Sequence, residues 1–425
     1  MNFLPPLSLA PSVTVARASL STQPLLIPQI FEEQFAIARK SRPQNAQEVL
    51  MRLDSKNKEA QARSLQPERE AGKEIYLTAR DFTVGNDLEH SILQFLKQSV
   101  SCKEDSLICV DRERVHKRES VFLTEQYAVK VFPHAEDYLD KIAAEISGLD
   151  IIKKLNLEEG RSIAFIAVGR CVINNVDNFL LLMHRAPGNT IKYFLDQIFK
   201  VPHRLSALNE CKAVLSQFGR LLGEMHSKKA IPHPGNASGV SDITFGKLVL
   251  EIKRYINEYQ KAGGEDFAVI VKFFEEVITN YDTKIYYFTP SHNDTHLENF
   301  LFDQKAGMTL IDTARVHYSI NASGEPLLAS YLHDVGRAED DIAKWVLYHE
   351  SNANLILELQ EAFRKGYREK AGKLINPSQL FADKAWTMLT RLKSVIQKRF
   401  HDEPSRRIYE YYSNFFKNHK FNATF

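Results

Sequence analysis

Cysteine, tryptophan and net charge are all scarce in this chain. Four cysteines stand among 425 residues, Cys102, Cys109, Cys171 and Cys211, and no two form a Cys-x-x-Cys pair. That argues against a disulfide framework, and buried thiols in a reducing compartment are expected. Lys and Arg total 55 against 53 Asp and Glu, a formal charge of +2. Such a balance gives no global case for nucleic acid or an anionic membrane as partner. No apolar stretch approaches the roughly 20 residues that span a bilayer, so no transmembrane segment is expected.

Acid is missing from the start of the chain. Residues 1–31 hold no Asp or Glu, one basic residue (Arg17), and many Ser, Thr and Pro. A secretory signal needs a charged start and an unbroken apolar core, and Pro5, Pro6 and Pro11 interrupt any such core. A disordered leader on a cytoplasmic protein is one expectation. An organelle-targeting segment, or the export signal of an effector, is the other, and composition does not separate them.

The rest of the chain divides by pattern. Residues 1–70 read as a leader and linker, with a weak helix at Phe31–Ile37 and a polar, charged stretch at Asn45–Glu70. Residues 71–105 read as a helical lead-in, with a helix around His90–Leu96. Strands are expected at Leu107–Val110, which is short and apolar, and at Val121–Leu123 and Tyr127–Phe132, which are rich in β-branched and aromatic residues. Leu139, Ile142, Ile146, Leu149 and Ile152 recur at helical spacing, which predicts a helix over Ala135–Leu155. Further strands fit Ser162–Val168 and Asn178–Met183, and Ala186-Pro187-Gly188 is a turn signal. Beyond it the chain turns helical. One long buried stripe runs from Leu205 to Met225, and helices fit Phe245–Gln260, Asp266–Tyr281, Ala338–Tyr348, Leu355–Lys370 and Ala382–Arg399.

Within the helical part lies His292-Asn293-Asp294-Thr295-His296-Leu297-Glu298-Asn299, an H-x-D-x-x-x-x-N motif followed by the strand-like Phe300-Leu301-Phe302. Thirteen residues past Asn299 comes Asp312, on a second apolar run. Asp294 is suited to orient an acceptor hydroxyl and take its proton. Asn299 and Asp312 are hard oxygen ligands suited to Mg²⁺, and His292 would brace the loop by hydrogen bonds. His292 and His296 as a zinc pair lack a third ligand and a second shell. Upstream, Lys130 closes Tyr127-Ala128-Val129-Lys130. A lysine among apolar strand neighbours is costly to bury unpaired. It either reaches solvent from an edge strand or pairs with Glu145 on the next helix, with Glu136 a weaker partner.

Together these residues resemble the aminoglycoside phosphotransferase/choline kinase group of the protein-kinase-like fold, over roughly residues 105–400. Leu180–Gly188 resembles its hinge, Leu221-Leu222-Gly223-Glu224-Met225-His226-Ser227 its long helix ending in Leu-His-Ser, and Phe363–Arg368 its Gly-Tyr helix. Gly324-Glu325-Pro326 and then Asp334 resemble its Gly-Asp-Pro and the later Asp that steadies the catalytic loop. Asp312-Thr313 in place of Asp-Phe-Gly, with no Ala-Pro-Glu segment, points away from eukaryotic protein kinases. The resemblance implies an α+β, bilobal fold: a small antiparallel-sheet lobe with one helix at 106–184, and a larger helical lobe at 185–425. It implies ATP and Mg²⁺ as cofactors and an alcohol group as acceptor. Lys130, paired with Glu145, would reach the α- and β-phosphates, and Met183 and Arg185 would meet adenine through their backbone. One departure stands out: Arg112–Ser120, where a glycine-rich loop would cover the phosphates, holds no glycine. Its side chains, Ser120 among them, would have to serve instead.

The acceptor is less legible. Lys384–Phe425 holds nine basic residues against three acidic ones. Either this is a solvated basic face or it favours an anionic acceptor, an acidic protein or a membrane surface. Trp345, Trp386 and Tyr348 would serve an aromatic cage for a choline-type acceptor, or simply pack a core. A small molecule is the expected acceptor. A protein kinase acting on a host or cellular protein, and a pseudokinase-like binding module, are the alternatives.

Overall fold

The structure is a computed structural model. It describes residues 80–81, 87–100, 102–103, 106–110, 119–134, 138–173, 175–228, 230–234, 240–264, 266–280, 285–318, 331–397 and 402–418. The expected leader, the Phe31–Ile37 helix, the glycine-free positions 112–118 and Gly324-Glu325-Pro326 lie outside these.

The described chain opens with β1 (Arg80–Asp81), α1 (Leu88–Val100), β2 (Ile108–Cys109), β3 (Ser120–Leu123) and β4 (Tyr127–Pro133). There follow α2 (Leu139–Leu155), β5 (Gly160–Ser162), β6 (Phe165–Ile173) and β7 (Val176–His184). Six of these strands form one sheet in the order β1-β6-β7-β4-β3-β2. Every pairing is antiparallel except β1 with β6. β4 is buried along almost its whole length, which requires cover on both faces. Val129 and Val131 face α1, packing with Phe122, Leu180, Ile92 and Phe95. Phe132 and Leu181 face α2, packing with Leu139, Ile142 and Leu149. The helix read in the lead-in therefore covers one face of the sheet, and the sheet carries a second helix besides the expected one.

After β7 the chain turns at Gly188, whose φ of +92° favours glycine. It continues as β8 (Asn189–Thr190), α3 (Ile191–Lys200), α4 (Arg204–Ser227), β9 (Ile231–Pro234), α5 (Val240–Lys261) and α6 (Phe267–Thr279). Then come β10 (Ile285–Phe288), β11 (Pro290–Ser291), β12 (Phe300–Asp303), β13 (Gly307–Leu310) and β14 (His317–Tyr318). The chain ends in α7 (Tyr331–His349), α8 (Ala353–Ala371), α9 (Pro377–Gln397) and α10 (Glu403–Asn418). The fold is α+β: an antiparallel-dominated sheet first, then a largely helical region. The strand expected at Ser162–Val168 divides. β5 joins β13 in a second sheet ordered β5-β13-β12-β8, while β6 joins the first.

Two helices had no counterpart in the sequence pattern. α3 is short, and its start is marked by Thr190, whose hydroxyl accepts the Tyr193 N–H. α10 is polar overall and buries only a narrow stripe that includes Ile408, Tyr412 and Phe416. α7 begins at Tyr331, seven residues before the expected start. Its first turns set a fully buried charge, Asp334, among the buried Tyr331, Leu332 and Val335.

Candidate active site

β4 places Lys130 opposite Val121 on β3 and Leu181 on β7. The residue is only 6% exposed. Its Nζ lies 2.7 Å from Glu145 Oε2, 3.1 Å from Asp312 Oδ1 and 3.6 Å from Glu119 Oε2. Burial alone would lower its pKa, but Glu145, Asp312 and Glu119 outweigh it and raise the ammonium above the usual lysine range. Glu136, the other partner considered, lies outside the described residues.

Glu145 is a junction. One carboxylate oxygen takes Lys130, and the other accepts the Thr313 backbone N–H at 3.0 Å. The Thr313 hydroxyl donates to the Glu145 carbonyl at 2.9 Å. This ties α2 to the segment that carries Asp312. Asp312 itself has φ +54°, an uncommon conformation for a side-chain-bearing residue and one held here by its surroundings. Burial pushes its carboxyl up, but Lys130 prevails and holds it below the usual carboxylate range.

The Asp294 loop runs between β11 and β12. Asp334 fastens it from α7, accepting the His292 N–H at Oδ2 and the Asn293 N–H at Oδ1, both at 2.7 Å. Thr295 Oγ1 donates to the Asp334 carbonyl at 2.8 Å. Asp334 Oδ2 is also 3.1 Å from His226 Nε2, and His226 Nδ1 is 2.9 Å from the Tyr367 hydroxyl. The loop is thus joined to α4 and α8 through a buried polar chain. The His292 ring is buried and packs on Phe300, with centroids 4.9 Å apart. Burial lowers its pKa. Its main-chain N–H carries the bond to Asp334, and its ring meets the Ile311 main chain. Asn293, at φ +59°, donates from its amide to the carbonyls of Ser291 and Arg315, each at 3.2 Å.

Asp294 is surrounded by cations. Its Oδ1 lies 2.9 Å from an Arg337 amino nitrogen and 3.0 Å from His296 Nε2, and its Oδ2 lies 3.7 Å from Arg315 Nε. Burial would raise its pKa, but His296, Arg337 and Arg315 together depress it far below the usual carboxylate range. His296 reaches the other way to Asp341, 3.8 Å from Nδ1. Asn299 donates its side-chain N–H to the Asp294 carbonyl at 2.9 Å, which leaves its Oδ1 as an oxygen donor. The Asn299 oxygen and the Asp312 carboxylate are hard oxygen donors of the kind Mg²⁺ takes, and these two residues could hold such an ion.

Three expectations are corrected. Ser120 shares the sheet face of Phe122, because side chains alternate along a strand and Val121 is the residue opposite Lys130. Its buried hydroxyl lies on the α1 side, away from the lysine. Glu119, one residue earlier, is the one that reaches Lys130. The Arg185 N–H is already donated to the Gln126 carbonyl at 2.8 Å, so it is not offered to adenine, while Met183 packs its side chain in the α2-side core, which bears on its side chain and not on its backbone. The Arg185 guanidinium turns back to the Thr124 carbonyl at 2.7 Å. Finally, the described basic residues near the C-terminus are paired within the protein, some of them still in solvent: Arg406 pairs with Glu403 and its side chain is 61% exposed, and that of Lys417 is 44% exposed. Lys384 pairs with Glu339, Arg391 with Asp340, Lys393 with Glu258 and Lys417 with Asp266. Arg407 donates to the carbonyls of Leu347 and Tyr348. Lys398, Arg399 and Lys420 lie outside the described residues.

Thr313, Asn293, Glu119, Arg315 and Arg337 join the site without a sequence reading that had singled out their roles. For Thr313 and Asn293 the signal was position alone, each beside a residue of interest. Arg337 lies in the first turns of α7, ahead of the helix expected from Ala338.

No family model and no curated protein sequence matches the chain. Solved structures similar to it include a glucosamine kinase, at 11% sequence identity, covering 70% of this chain and 75% of that one, with a TM-score of 0.49. An aminoglycoside phosphotransferase, APH(4)-Ia, is similar at 12% identity, covering 76% of this chain and 98% of that one, with a TM-score of 0.46. A streptomycin–ATP ternary complex of APH(2")-IIa is similar at 16% identity, covering 79% and 97%, with a TM-score of 0.41.

Proposed function

We propose that this chain is an ATP- and Mg²⁺-dependent phosphotransferase that moves the γ-phosphoryl group to a hydroxyl of a small molecule. The observation that carries the reading is the buried Lys130, held between Glu145 of α2 and Asp312 of the segment after β13. One ammonium joins the sheet to the helical region at the place where Asp294 and Asn299 also lie. Phosphoryl transfer asks for placement and charge neutralisation more than for covalent chemistry, and this arrangement supplies both.

Lys130 is placed to meet phosphate oxygens. Asn299 and Asp312 would hold Mg²⁺, which when bound offsets the charge of the phosphates. Asp294 accepts the hydrogen bond of the acceptor hydroxyl and aims its oxygen. Because Arg337 and His296 hold its carboxylate strongly ionised, it is a weak base. The hydroxyl proton therefore leaves late, once the oxygen has begun to bond to phosphorus. Replacing Asp294 with Ala is expected to abolish transfer while circular dichroism stays unchanged; undiminished ATP turnover in that variant would sink the reading.

A second reading, a nucleotide- or protein-binding module without turnover, is favoured by one feature. The Arg185 N–H is bonded within the protein, so the hinge offers adenine one donor fewer. Millimolar Mg-ATP separates the readings: a rise in melting temperature with ADP release supports the enzyme, a rise without release supports a nucleotide-binding module, and no rise supports a protein-binding one.

A further inference from the structure

Three side chains share Asp294, and they are not equally committed. Arg337 is largely covered and also donates to the Asn293 carbonyl at 3.2 Å. His296 is divided between Asp294 and Asp341. Arg315 differs: its side chain is 63% exposed, its contact with Asp294 is the longest at 3.7 Å, and Asp294 is its one ion-pair partner among the described residues. Its main chain is nevertheless fixed. The Arg315 carbonyl accepts the Asn293 amide, and a turn closes from the Val316 N–H to the Thr313 carbonyl at 2.9 Å. An incoming hydroxyl needs an Asp294 oxygen, and Arg315 is the cation that yields most easily.

The nearby aromatic rings add a second observation. Trp345 has the ammonium of Lys192 at 4.2 Å and that of Lys344 at 4.3 Å from its ring, so the surface offered to a cationic acceptor is already used by cations. Trp386 is 7% exposed, its indole N–H is buried without a hydrogen-bond partner, and its ring lies 4.6 Å from His333, which directly precedes Asp334. Indole is a donor only, so an unsatisfied one calls for an acceptor atom. His333 in turn lies in the field of Arg337 and Asp294. The side chains that touch Asp294 itself are thus all cations, with Asp341 behind His296.

The geometry points to an acceptor that carries an anionic group, phosphate or carboxylate, close to its reactive hydroxyl, with Arg315 as the residue that binds the anion. This rests on the phosphotransferase reading. The guanidinium leaves Asp294 to form a forked pair with the anion, and the hydroxyl takes its place at the carboxylate. The acceptor oxygen then bonds to the γ-phosphorus as the bond from that phosphorus to the bridging oxygen of ADP breaks. The hydroxyl proton passes by way of Asp294 to solvent.

A matched set of probes tests this with the full chain and Mg-ATP: glucose 6-phosphate, gluconate, glucose and glucosamine, with ADP release as the readout. Turnover is expected with the phosphate or the carboxylate probe, and which of the two works identifies the anion. Arg315→Ala is expected to raise the KM for that probe by about ten- to a hundredfold, well beyond any change in the KM for Mg-ATP, and Arg315→Lys to recover part of it. Faster turnover with glucose or glucosamine, or an unchanged acceptor KM in Arg315→Ala, overturns the inference. Nucleotide binding by thermal shift with turnover on neither anionic probe also overturns it and leaves the parent reading standing. Absence of nucleotide binding overturns both.

Discussion

A Cβ on Gly148 would lie 2.0 Å from the carbonyl oxygen of Thr313. That spacing is possible only for glycine, and it explains how α2 comes close enough for Glu145 to bond both the N–H and the hydroxyl of Thr313. Sequence, close approach and site are linked here: one missing side chain sets the distance between the helix and Asp312. Because the clash is with backbone, no side chain can rotate away to relieve it. Gly148→Ala is expected to cost about 1–3 kcal/mol in urea unfolding. Phosphotransfer should fall further than stability, because Lys130 and Asp312 separate. A variant with wild-type stability and turnover would show that the approach does not matter.

Lys130 balances buried negative charge. Glu145 is 1% exposed and shares Lys130 with Asp312. Lys130→Met removes the ammonium and leaves those carboxylates facing one another. Transfer is expected to fall by at least about a hundredfold. Stability should fall by about 3 kcal/mol, since removing one partner strands the others. The Glu119→Gln variant is the control: its carboxylate lies farther from the ammonium, and its stability should change by less than about 1 kcal/mol. Equal losses in the two variants would contradict this ranking.

The sheet and the long helices were legible because their apolar residues repeat at the spacing of the structure they form. Val129 and Val131 alternate with Lys130, and Ile142, Leu149 and Ile152 share a helix face. The elements that were missed carry their information in other ways. At the start of α7 the buried charge of Asp334, with His333 and Arg337 beside it, masks the apolar stripe of Tyr331, Leu332 and Val335. α10 buries too narrow a stripe to stand out from its charges. Within the site, motif spacing pointed to Asp294, Asn299 and Asp312 as a group, but not to what surrounds them. Arg337 lies over forty residues from Asp294 in sequence, and only the packing of α7 brings it to 2.9 Å. The same limit explains the basic C-terminal stretch: counting charges there could not reveal that Glu339 and Asp340 were waiting for them inside.

Asp334 shows how α7 sets the loop geometry. Its two carboxylate oxygens each take one loop N–H, so Asp334→Asn replaces one acceptor by a donor that meets another donor. Stability is expected to drop by about 3 kcal/mol, and kcat by more than KM changes, because the loop rather than a substrate contact is disturbed. Tyr367→Phe removes only the far end of the chain through His226 and should cost about 1 kcal/mol. A Tyr367→Phe loss as large as that of Asp334→Asn would place the loop's support elsewhere.

Acid should unfold the helical region through Glu339. The residue is fully buried, and Arg364 grips both its oxygens, at 2.8 Å and 2.7 Å, while Lys384 pairs with one of them. Burial would raise its pKa, but Lys384 and Arg364 pull it down to about 2 from an ordinary value of 4.5. A carboxyl with a depressed folded pKa contributes its stability above the unfolded value and loses it as pH falls toward the folded one. The window is therefore from about pH 4.5 down to about pH 2, and roughly 2 kcal/mol should be gone by pH 3. Glu339→Gln removes this titration. At pH 7 it should be less stable than wild type by about 3–5 kcal/mol, because Arg364 and Lys384 lose their carboxylate. Between pH 5 and pH 3, urea unfolding of the variant should fall by about 2 kcal/mol less than that of wild type. Parallel pH profiles for the two proteins would mean that some other carboxylate, not Glu339, sets the acid limit.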